Sequence, residues 1–235
     1  MTSLDSIVFL IDVDNTLLDN DQVQDDFRRH LGREFGADAL DRYWSIQERL
    51  FIELGYRDYL GALQHYREEH PEDLRVLSMS SLFLDYPFGD RLYAGALDVL
   101  RRLREWGRTV VLTDGDAVFQ PRKVERSGIS AAADGNVLIY VHKEQALDDV
   151  RQRYPARHYV LVDDKLRILS AVKHAWGGRV TTVFPRQGQF AHDPGVIAAY
   201  PAADVTVESI GDLLSYDLPA LAAGAPSMQL SKTVT

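Results

Sequence analysis

The sequence predicts an α/β fold: a parallel sheet with helices between its strands and a helical segment inserted after the first strand. Three observations carry this. Ile7–Ile11, Thr109–Thr113, Val137–Val141, Tyr159–Val162 and Val180–Phe184 are short apolar runs rich in β-branched residues, as suits strands buried on both faces. On periodicity alone, the first run also fits a buried helix segment. Segments with apolar residues at helical spacing separate the runs, and this alternation indicates right-handed crossovers between parallel strands. Ile11 and Thr113 lie roughly three times farther apart than the ~30 residues of a strand–helix–strand unit, so extra chain is inserted between them.

The first run stops at Asp12-Val-Asp14-Asn-Thr16. Open α/β sheets bind ligands just outside the carboxyl ends of their strands, which makes Asp12 and Asp14 site candidates. The same residue types also serve turns and helix caps. From Asp19 onward apolar residues recur at helical intervals, as in Phe27, Leu31 and Phe35, then Leu50, Phe51 and Leu54, then Tyr59, Leu60, Leu63 and Tyr66. This reads as a helical subdomain with its Tyr and Trp residues as core, joined by linkers near Leu18–Asn20 and Pro87–Gly95.

Ala96, Val99, Leu100, Leu103 and Trp106 form the next helical stripe, stopped by Gly107. Thr109–Thr113 leads into Asp114-Gly-Asp116, and the helix that follows carries Lys123, a rival to Lys143 that reads as a solvated surface lysine. Val137–Val141 leads into His142-Lys143. Glu144 to Tyr154 fits a helix stopped by Pro155, with Leu147, Val150 and Tyr154 on one side. Tyr159–Val162 leads into Asp163-Asp164. Leu166, Leu169, Val172, Ala175 and Trp176 repeat the helical stripe before Gly177-Gly178, and Val180–Phe184 ends at Pro185. The end of the chain is small and polar and is expected to pack weakly or fray.

Composition narrows the function classes. Hydrophobic residues make up 46% and charged residues 26%, which is globular composition. A net charge of −9 with no long basic cluster disfavours nucleic acid as a partner. The absence of cysteine excludes disulfides, thiolate nucleophiles and Cys-ligated zinc. Met1–Ser6 lacks a basic leader region, and no stretch reaches membrane-spanning length, so a cytoplasmic protein without a membrane partner is expected. Oligomeric state is unknown at this stage.

Asp12-Val-Asp14-Asn-Thr16 after the first strand, Thr113 ending the second, Lys143 after the third and Asp163-Asp164 after the fourth resemble the four signature motifs of the haloacid dehalogenase (HAD) superfamily. The resemblance runs from about residue 7 to residue 185. It implies a three-layer Rossmann-like core (residues 1–18 and 90–220), an α-helical cap domain (19–89) and a C-terminal tail (221–235). It further implies that Asp12 is the nucleophile, forming an aspartyl-phosphate. Asp14 becomes the general acid and then base, with its main-chain carbonyl a metal ligand. Lys143 would neutralise the phosphoryl group and the nucleophile, and Thr113 with the N–H groups of Asp114 and Gly115 would hold phosphoryl oxygens. Asp164 is implied as a direct metal ligand and Asp163 as a second or water-mediated one.

Elementary electrostatics points the same way. Asp12, Asp14, Asp163 and Asp164 converging on one sheet edge repel unless a cation neutralises them, and Mg2+ binds one or two carboxylates together with a substrate phosphate. The expected function is therefore a Mg2+-dependent phosphomonoesterase acting on a small phosphorylated substrate. A sugar-phosphate mutase of the same superfamily and a non-catalytic HAD-like binding domain are the alternatives. Asp14 argues against haloacid dehalogenation, because dehalogenases of this type lack an acid there. Asp114, Glu144 and Ile168 depart from the family pattern, Asp114 by placing an acid beside the expected phosphate. His142 and His192 read as structural, and Arg57 as a surface ion pair.

Overall fold

The computed structural model describes residues 7–222. All five predicted strands form: β1 (Ile7–Ile11), β2 (Arg108–Asp114), β3 (Val137–Tyr140), β4 (His158–Val162) and β5 (Val180–Pro185). A sixth, β6 (Val205–Val207), had no readable signal, because three residues with an exposed Thr206 show no period. The order is β3-β2-β1-β4-β5-β6, and every neighbouring pair is parallel. The chain builds one side of the sheet from β1 to β3 and then crosses to β4, so the topological switch lies between the carboxyl ends of β1 and β4.

Both faces of β1 are covered. Phe9 and Ile11 join one hydrophobic core, Val8 and Leu10 the other. This is why its sequence is uniformly apolar instead of alternating.

The insertion holds four helices: α1 (Asn20–Phe35), α2 (Ala37–Leu54), α3 (Tyr59–Glu69) and α4 (Val76–Asp85). Three of their boundaries have a local cause. The Asp19 side chain caps α1 by accepting from the Gln22 N–H at 2.9 Å, and Asp58 caps α3 through Gly61. Gly55, at φ +79°, closes α2 in the left-handed conformation that glycine adopts without steric cost.

The insertion has no core of its own. Its Phe27, Tyr43, Tyr59, Phe83 and Phe88 continue the core that covers Phe9 and Ile11. At the junction, Phe119 of the sheet domain meets Tyr59 at 4.5 Å, Phe88 at 5.6 Å and Phe27 at 6.1 Å between ring centroids. The two linkers pair with each other: Asp19 N–H donates to Arg91 O at 2.8 Å, Tyr93 N–H to Leu17 O at 3.0 Å. Asp26 pins the return of the chain by accepting from Tyr86 Oη and pairing with Arg91 at 2.7 Å.

The remaining helices are α5 (Ala96–Arg104), α6 (Phe119–Arg126), α7 (Ile129–Ala132), α8 (Leu147–Arg153), α9 (Leu166–Trp176), α10 (Pro194–Ala199) and α11 (Leu218–Ala222). Two boundaries correct the sequence reading. Trp106 lies beyond α5 and is 43% exposed, and the expected helix from Glu144 starts only at Leu147, after a 3-10 turn at Lys143–Gln145. The expected loose tail is packed at its start, where Leu221 is buried in α11. The rest of that tail and the leader reading of Met1–Ser6 lie outside the described residues. No helix among the described residues is long and apolar enough to cross a membrane.

Candidate active site

Sheet register builds the site. Ile11 stands opposite Val162, which brings Asp12 level with Asp163, and the Asp12 N–H extends the ladder to Val162 O at 3.0 Å. The loop after β1 then turns at Asn15, whose φ of +59° is a conformation that asparagine tolerates better than most residues. Asn15 Oδ1 accepts from the N–H groups of Asn20 and Asp21 at 3.0 and 3.2 Å, so the motif runs directly into α1. Thr16 Oγ1 accepts from the Asp164 N–H at 3.1 Å, tying the first motif to the fourth.

Asp12, Asp163 and Asp164 are buried, and one carboxylate oxygen of each lies within 4.8 Å of the others. Burial, reinforced by the neighbouring carboxylates, raises Asp164 well above the ordinary range, and burial with Asp12 raises Asp163 against the pull of Lys143. The buried Lys143 Nζ answers part of this charge, reaching Asp12 Oδ1 at 2.5 Å and Asp163 Oδ2 at 2.6 Å. Burial alone would lower the lysine pKa, but Asp12, Asp163 and Asp114 outweigh it and hold the ammonium protonated. Asp163 also accepts from the Lys165 N–H at 2.9 Å.

Four carboxylate oxygens of the cluster accept no hydrogen bond: Asp12 Oδ2, Asp163 Oδ2, which the Lys143 ammonium meets as an ion pair, and both oxygens of Asp164. Leaving buried carboxylate oxygens unpaired is costly, and an all-oxygen set of this kind is what a hard divalent cation binds. The residues therefore fit Mg2+. They separate the two acids of the fourth motif: Asp164 is free to ligate, whereas Asp163 is already engaged by Lys143.

Asp14 takes a different environment. Its Oδ1 accepts from Lys123 Nζ at 2.6 Å, and its Oδ2 lies 3.5 Å from Gln120 Nε2. Gln120 also donates to Thr113 Oγ1 at 2.9 Å, so the second motif is joined to the acid of the first. Lys123 is buried, which corrects its reading as a solvated lysine. The sequence reading passed over Gln120 and held Lys123 only as a rival to Lys143. Their signal was polar residues at i and i+3 on the buried face of that helix, between Phe119 and Val124.

The departure at Asp114 has a structural explanation. Its Oδ1 accepts the Lys143 N–H at 2.7 Å, so this acid orients the lysine's backbone, and burial raises its pKa. The Gly115 N–H donates to Tyr140 O at 2.9 Å and meets a phosphoryl oxygen only by leaving that bond. Ile168 is core packing. His192 is exposed, His142 packs against Gly55, and Arg57 pairs with Glu48 at 3.2 Å, as a surface ion pair should.

A family model described as haloacid dehalogenase-like hydrolase matches residues 8–175. This chain belongs to that family. A solved structure assigned to the haloacid dehalogenase-like hydrolases, from Burkholderia xenovorans LB400, is 63% identical, with 90% of this chain and 99% of that chain covered and a TM-score of 0.87. At lower identity the HAD fold alone is shared. The magnesium-bound HAD hydrolase YfnB from Bacillus subtilis is 15% identical, with 88% and 96% covered and a TM-score of 0.58. L-2-haloacid dehalogenase from Xanthobacter autotrophicus is 16% identical, with the same coverages and TM-score. No match was found among curated proteins.

Proposed function

We propose that this HAD hydrolase is a Mg2+-dependent phosphomonoesterase for a small phosphorylated metabolite, with the helical insertion as its cap. The observation that carries the reading is the set of unpartnered oxygens on Asp12 and Asp164 beside Lys143, with a second, separately held carboxylate at Asp14. A dehalogenase needs neither a cation nor an acid for its halide. This site offers places for both.

In the proposed reaction Lys143 holds and orients the Asp12 carboxylate, which attacks phosphorus. As the Asp12–phosphorus bond forms, the bond to the leaving oxygen breaks, and that oxygen takes a proton from Asp14. Asp14 next removes a proton from water. The resulting hydroxide attacks phosphorus and expels Asp12 as a carboxylate. Lys143 and the Thr113 hydroxyl stabilise charge on the phosphoryl oxygens. Asp12, Asp164 and the Asp14 carbonyl, with Asp163 through water, would hold Mg2+, which when bound supplies charge neutralisation at those oxygens.

Phosphate release from 4-nitrophenyl phosphate and a panel of small phosphate esters, with Mg2+ and with EDTA, tests the proposal. Metal-dependent release is expected. Halide release from 2-haloacids without phosphate release would replace the reading with dehalogenation, and a phosphorylated product that persists would replace it with a mutase.

A further inference from the structure

We propose that Lys123 is a positioning residue for Asp14, an inference that rests on the general acid–base reading of Asp14. The ammonium is buried at 2.6 Å from Asp14 Oδ1 and 2.9 Å from Asn20 Oδ1, with the Phe119 ring centroid 5.1 Å away. Gln120, three residues earlier on the same helix, faces the other oxygen of Asp14. One helix therefore addresses both oxygens of the carboxylate.

A buried ammonium tolerates few arrangements, because every alternative must again supply it with acceptors. Here its acceptors are the Asp14 carboxylate and the side chain of Asn20, the first residue of α1. The orientation of Asp14 and the entry of the chain into the insertion are thus set by the same group. Lys143, by contrast, serves Asp12 and Asp163, so the two buried lysines divide the site between nucleophile and acid.

Orientation of Asp14 matters most for a leaving group that must be protonated as it departs. An alkoxide needs that proton; 4-nitrophenolate does not. The test compares kcat/KM of the Mg2+-loaded enzyme on glycerol 2-phosphate and on 4-nitrophenyl phosphate, for wild type, Lys123→Met, Asp14→Asn and the double variant. Lys123→Met is expected to lose about tenfold or more on the alkyl ester, part of the roughly 10²–10⁴-fold that a positioned general acid contributes, and less than about threefold on the aryl ester. In the Asp14→Asn background the same change is expected to add little, as for two residues acting through one function.

Equal loss on both esters, no loss, a gain, or full additivity overturns the assignment. Thermal denaturation monitors folding, and should Lys123→Met fail to fold, Lys123→Gln is read by the same ratio. Absence of wild-type turnover on either ester is failure of the phosphatase reading, and the Lys123 assignment falls with it. Turnover with an unchanged ratio is failure of the Lys123 assignment alone.

Discussion

At the scale of single residues, the first acid of the first motif and the unpaired acid of the fourth are separable by experiment. Asp12→Asn keeps the shape of the side chain and its contact with Lys143 while removing the attacking oxygen, so phosphate release is expected to vanish with an unchanged circular dichroism spectrum. Asp164→Asn withdraws charge from the oxygens that have no protein partner. The Mg2+ concentration for half-maximal activity is expected to rise about tenfold or more, since losing a ligand costs at least what losing a hydrogen-bond partner of a ligand does. Asp12, Asp14, Lys143 and Asp163-Asp164 were legible because each directly follows a strand that announces itself by its apolar run. Lys123 was not, since a lysine on a helix is read as solvated unless its acceptor is known, and that acceptor lies 109 residues away in the chain.

Among elements, the same contrast holds. β1 and α9 emerge at their predicted ends because their causes are local: continuous apolar residues in the one, a regular stripe closed by Gly177 in the other. β6 was hidden because pairing with β5, not its own sequence, makes it a strand. The insertion was legible as helical, but its fusion with the core of the sheet domain depends on ring contacts between distant segments. Phe27 is the centre of that fusion, touching Tyr59, Phe83, Tyr86 and Phe119. Truncation at such a site removes apolar burial and leaves a cavity, so Phe27→Ala is expected to cost about 3–5 kcal/mol in urea unfolding. A single cooperative transition is expected as well, because insertion and sheet share one core.

For the molecule as a whole, acid sensitivity follows from the ion pair that closes the insertion. Burial alone would raise Asp26, but bonds from Tyr86, Arg91 and Arg29 lower its pKa to about 2. The folded value lies below the unfolded one, so the contribution is complete above about pH 4 and fades as the pH falls toward 2. Allowing for partial solvent screening, it is worth about 1 kcal/mol. Asp26→Asn is therefore expected to be less stable by about that amount at pH 7, by nearly as much at pH 4 and by about half as much at pH 3, in urea titrations at the three values.

The ring junction between insertion and sheet domain also has a calorimetric consequence. Each aromatic side chain buries roughly 150–250 Å², and newly wetted apolar area raises heat capacity by about 0.45 cal/mol/K per Å². If product leaves by parting Phe119 from Tyr59 and Phe27, the activation heat capacity of turnover is positive and the Eyring plot of kcat curves upward. Phe119→Leu, with less ring area to wet, then straightens the plot. A straight plot for the wild type would mean that these rings stay in contact throughout the rate-limiting step.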